Sequence, residues 1–116
     1  MTGAVPNPLR GEAVLPIGGV SRLLRPSFAA LVAAEQELGP LFALVERAAA
    51  GRLGLGETAS LFWHCLADRA TMTREAVGEA VVELGLAGAA GPLRTLLAAI
   101  LQGDDAAPDP AGPPRA

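Results

Sequence analysis

Apolar positions along this chain recur first with the period of a strand and then, for most of its length, with the period of a helix. GEAVLPIGGVSRLL contains two short runs, Ala13-Val14-Leu15 and Val20 to Leu24, on either side of Gly18-Gly19. A Gly-Gly pair accepts the positive φ angles of a tight turn, so residues 12–24 are expected to form a two-stranded hairpin. Pro16 has no N–H to give to a ladder and must face away from its partner strand. A lone hairpin is marginal in water, and its apolar side must lean on helices.

From Ser27 onward the period lengthens. Ser27 is a suitable N-cap for FAALVAAEQELG, in which Phe28, Leu31, Val32 and Leu38 fall near one face before Gly39 and Pro40 end the run. Pro40 suits the first turn of a second helix, where Leu41, Leu44, Val45 and Ala48 lie at i, i+3, i+4 and i+7 before Gly51. Helices joined this tightly form a corner or a hairpin. After the loop RLGLGE a third helix is expected from about Glu57 to Ala67, with Leu61, Phe62, Cys65 and Leu66 on its inner arc. Thr73 caps a fourth with Glu75 in its first turn, Val77, Val81 and Leu84 as its stripe and Gly85 as its end. The fifth, from about Gly91 to Gln102, has the most regular pattern: Leu93, Leu96, Leu97, Ile100 and Leu101.

The fold class that follows is mainly α, an N-terminal β-hairpin followed by a compact bundle of about five short helices. Its length of 116 residues allows one modest core. Residues 1–8 read as a mobile lead-in and residues 9–103 as the single domain. Residues 104–116, acidic and Pro-rich with nothing to bury, are expected to be disordered.

Composition narrows the function. Hydrophobic residues make up 51% and charged residues 18%, but no run of about eighteen apolar residues spans a membrane. No cationic segment followed by an apolar core opens the chain, so a cytoplasmic location is expected. The nine basic residues are all Arg and are scattered from Arg10 to Arg115, and the net charge is −3. Nucleic-acid binding by counterion release needs a concentrated basic patch, and the sequence offers none. A single Cys can form neither an internal disulfide nor a Cys-rich zinc site.

ASLFWHCLADRA holds the only Trp, His and Cys, as Trp63-His64-Cys65. A Cys/His catalytic pair must meet at hydrogen-bond distance, whereas adjacent helical residues point about 100° apart. Cys65 is therefore read as a small buried residue and His64 as partly exposed or holding a local polar contact. Trp63 lies off the arc of Leu61 and Cys65; it either packs under the hairpin, the preferred reading, or anchors an interface. The RLGLGE glycines lack the Lys-Ser/Thr ending of a phosphate loop. Glu35, Glu37 and Glu46 show no spacing that pairs two of them as acid and base. No enzyme, cofactor or metal is expected. The surplus is apolar: mean hydropathy is +0.38 and helix five is apolar over more than a third of its circumference. Either part of that face awaits a partner or a second copy, or an Ala-rich composition merely raises the average.

In order, NxxRGE, the hairpin, the RPxFxAL-like stretch Arg25–Leu31, the ExELG helix end Glu35–Gly39, the GxxxLGE-like loop Gly51–Glu57, the LxWHxL-like helix and TREAVGEAVVELGL form a set. Over roughly residues 7–102 this set resembles the small tail-assembly proteins of alphaproteobacterial gene transfer agents, a family also labelled tail tube protein. The resemblance implies a non-enzymatic protein of a phage-like tail, expected to act as a chaperone that holds the tape-measure protein soluble before tail tube subunits polymerise. Tube protein itself is a further expected partner. A structural tube or connector subunit is the alternative, as is an unrelated helical adaptor, though a tube would be β-rich. The expected binding face is Leu93, Leu96, Leu97, Ile100 and Leu101 of helix five, with Phe62 and Trp63 beside it.

Overall fold

The structure, a computed structural model, describes residues 12–102. The lead-in 1–8 and the tail 104–116 lie outside the described residues. Two strands, β1 (Ala13–Ile17) and β2 (Val20–Leu24), pair antiparallel with Ile17 opposite Val20 and Ala13 opposite Leu24. Gly18 and Gly19 have φ of 61° and 84°, the pair of positive angles that a two-residue hairpin turn requires. Ladder hydrogen bonds alternate along an antiparallel pair, and Pro16, opposite Ser21 and one step from the turn-flanking pair, takes a position that needs no N–H. Ala13, Leu15 and Ile17 face inward, against the last two helices.

Five helices follow: α1 (Phe28–Leu38), α2 (Leu41–Ala49), α3 (Leu55–Cys65), α4 (Arg74–Leu84) and α5 (Leu86–Gln102), with a 3₁₀ turn at Arg69–Thr71. The Ser27 hydroxyl accepts the Ala30 N–H at 3.1 Å and the Thr73 hydroxyl accepts the Ala76 N–H at 3.0 Å, so both expected N-caps are present. Gly39 and Gly85, at φ 96° and 87°, end α1 and α4 in the left-handed region. The axes of α1 and α2 turn by 76°, which makes their junction a corner.

Three boundaries or faces depart from the sequence reading. First, α3 begins at Leu55, because the Glu57 carboxylate reaches back to accept the Gly54 N–H at 2.9 Å. It ends at Cys65, because the chain beyond turns extended and pairs with the hairpin: Leu66 bridges Leu24, and the Ala67 N–H donates to the Leu23 carbonyl at 3.0 Å. Second, α5 starts at Leu86, five residues before Gly91, and takes Pro92 inside it. Third, α1 buries Ala30 and Ala34, while Phe28 stands 85% exposed. Small residues let α1 lie close on α3, so the large one turns out.

The core is built from Leu15, Leu24, Leu44, Leu61, Phe62, Val77, Val81 and Leu96, all fully buried. Each such side chain contributes about 1.5–3 kcal/mol on transfer from water. Phe62 and Leu96 are contributed by different helices, α3 and α5, and Leu15 and Leu24 by the hairpin, so the core ties the hairpin and the helices into one unit.

Candidate docking surface

The seven residues expected to bind a partner separate into three groups. Phe62 and Leu96 are fully buried and belong to the core; with no accessible surface they offer nothing to a second molecule, which corrects their assignment. Leu93, Leu97 and Ile100 are half-buried, packed on the core with one edge outward, and Leu101 is 53% exposed. Those four lie where α5 meets α2. Between the two helices runs an open groove of about 410 Å³, floored by Val45, Ala48, Leu93 and Leu97. A second depression of about 270 Å³, between Phe42 and Ile100, continues from it, and Val45 and Leu101 line both.

Phe42, 73% exposed, is the residue the sequence reading missed. It falls outside the i, i+3, i+4 arc of Leu41, Leu44 and Val45, and a large aromatic on the outer face of a short helix is itself a signal of an unsatisfied surface. The second depression is thus lined by two exposed apolar side chains on different helices, Phe42 and Leu101, and Leu101 lines the groove as well.

Trp63 is not part of this surface. Its indole N–H donates to the Met72 carbonyl at 2.9 Å, and the Arg74 guanidinium lies 4.5 Å from its ring centre, a cation–π contact. On α3, it is half-buried and packs against the core beside the start of α4, in keeping with the preferred core-packing reading, and it does not line the α2–α5 groove where helix five was expected to bring it. His64 is buried rather than partly exposed, and meets the Trp63 ring edge-on at 5.0 Å. Its Nε2 lies 2.7 Å from Glu37 Oε1, while Arg74 donates to Glu37 Oε2 at 2.5 Å and the Ser60 hydroxyl reaches the same oxygen at 3.4 Å.

One carboxylate at the end of α1 therefore clasps α3 and α4. The hydrogen bond from His64, and then that from Arg74, hold the Glu37 carboxyl below its usual value of 4.5. This constellation is not a hydrolytic triad, because Ser60 bonds the carboxylate and the imidazole is spent on the same group. Cys65 is buried on the neighbouring arc, as its position in the helix implied. Among the described residues no group of three or more His, Cys, Asp or Glu is arranged to hold a metal ion. Nor is any single described helix long and apolar enough to cross a membrane.

The described residues form a mostly helical fold with a small hairpin and an apolar groove between two helices. Comparison with known families gives this fold its context: the family model described as phage tail tube protein, GTA-gp10, matches residues 10–103, and the chain belongs to that family. It is therefore a tail protein of the gene transfer agent type. No curated protein and no solved structure matches it.

Proposed function

We propose that this chain is a non-enzymatic assembly protein of a phage-like tail, which binds the tape-measure protein through the α2–α5 groove and keeps it soluble until the tube forms. The observation that carries this reading is that Phe42 of α2 and Leu101 of α5, both exposed, line one apolar depression continuous with the groove. A long, helical client with apolar stripes fits such a groove, with anchors about one turn apart. The β content supports the same reading. Rings that stack through sheets need extended strands, and the described residues supply one two-stranded hairpin of five-residue strands.

The second reading, a tube subunit, is favoured by the family's own description. The two separate in the particle. A chaperone is absent or scarce in purified particles and captures co-expressed tape-measure protein; a tube subunit is present at ring stoichiometry and captures copies of itself. Quantitative mass spectrometry of purified particles, beside a pull-down from co-expressing cells, distinguishes them. Stoichiometric incorporation without capture would reject the chaperone reading.

A further inference from the structure

On the side of the molecule formed by α3 and α4, a second groove of about 680 Å³ opens between the helices. Its apolar lining is Leu55, 44% exposed, Val82, 63% exposed, and Ala59. Along the α4 side run Glu75, Glu79 and Glu83 at i, i+4 and i+8, all exposed, and among the described residues no basic side chain lines the groove. None of the three carboxylates has an ion-pair partner among the described residues. Like charges four apart on a helix repel one another, so this row costs the isolated chain stability that an opposing row of cations would restore.

Two glycines line the same groove, and internal packing asks for neither. Gly78 sits in the interior of α4, where glycine is a poor helix former, yet a Cβ there would meet the Ala59 Cβ at 3.9 Å, an ordinary contact. At Gly56, in the first turn of α3, a Cβ would meet nothing within 4 Å. Glycines that the fold does not need keep the floor of the groove low, which is what the close approach of another backbone requires.

We infer that the α3–α4 groove is a docking surface for a cationic amphipathic helix of another protein, one presenting Lys or Arg at i, i+4 and i+8 beside a stripe of small apolar residues. From Glu75 to Glu83 the row spans about 12 Å of helix axis, matched by a little over two turns of partner. A second copy does not fit, because the nine Arg of this chain nowhere recur at that spacing. Anionic partners, nucleic acid or an acidic membrane surface, are repelled by the same row. This surface is separate from the α2–α5 groove, and the inference does not rest on the chaperone reading.

The test uses the full chain and two synthetic 18-residue helical peptides of Ala/Leu stripe, one with Lys at i, i+4 and i+8 and the other with Glu at those positions. Titration calorimetry should detect the Lys peptide alone, with affinity falling as salt is raised. Glu79→Lys should weaken it at least tenfold, while Glu46→Lys, the same charge change on α2, leaves it within twofold. Gly78→Ala should raise Tm by about 4 °C through helix propensity and yet weaken the peptide at least tenfold. Circular dichroism confirms that each variant is folded. Failure of the Lys peptide to bind, an equal loss with Glu46→Lys, or unchanged affinity in Gly78→Ala would each overturn the inference.

Discussion

At the scale of single residues, burial decides which leucines build the fold and which are free to bind. Leu96 and Leu101 belong to one stripe in the sequence, but Leu96 is fully buried and Leu101 is half in solvent. Leu96→Ala is expected to cost about 2–5 kcal/mol, from lost transfer energy plus the cavity left behind, measured by urea denaturation. Leu101→Ser should cost less than about 1 kcal/mol in the same assay. Equal losses would mean that the α2–α5 groove is closed in solution. Glu37 gives a second expectation. Its folded pKa is lowered, so the clasp contributes fully above the usual carboxylate value of 4.5 and is lost as pH falls through the lower folded value. Glu37→Gln should lower Tm by about 3 °C near neutral pH, a modest effect because the carboxylate is partly solvated, and the difference from the unaltered chain should shrink below about pH 4.5. A difference that holds constant into the acid range would remove the ion pairs from the account. No local pattern announces this clasp: Glu37, His64 and Arg74 come from three helices, and only the packed fold brings them together.

At the scale of elements, capping and glycine signals were legible, and the misreadings occurred where tertiary contacts or a helix-interior proline intervened. Ser27, Thr73, Gly39 and Gly85 mark their helix ends as the sequence implied. The end of α3 was not readable, because Leu66 leaves the helix to bridge Leu24, a partner forty-two positions away. The start of α5 was hidden by Pro92, which ordinarily marks a first turn but here sits in the seventh position. Proline at that place removes the N–H that would bond the Gly88 carbonyl. Pro92→Ala is therefore expected to stabilise the chain by about 1–3 kcal/mol. Gly88→Ala should do the opposite, since its Cβ would stand 2.8 Å from the Leu84 Cγ and force that half-buried side chain to move. Thermal melts of the two variants check both signs; stabilisation by Gly88→Ala would show that the α4–α5 junction is looser than described. The α1 face was misread for a simpler reason. Periodicity ranks Phe28 above Ala30 and Ala34, but close helix packing favours the small side chains.

At the scale of the molecule, one core carries on its surface two grooves that differ in chemistry. The α2–α5 groove is apolar with aromatic and aliphatic walls, and the α3–α4 groove carries an acidic row. Family membership makes the chain a tail protein, and the proposal that it binds a long helical client rests on the apolar groove. The most direct test is the soluble fraction of the tape-measure protein co-expressed with the unaltered chain and with a Phe42→Ser/Leu101→Glu variant. The account predicts that the unaltered chain brings the client into the soluble fraction and that the variant loses at least nine-tenths of this effect while its far-ultraviolet helix signal and Tm stay close to those of the original. Undiminished rescue by the folded variant, or no rescue by either chain, would contradict it.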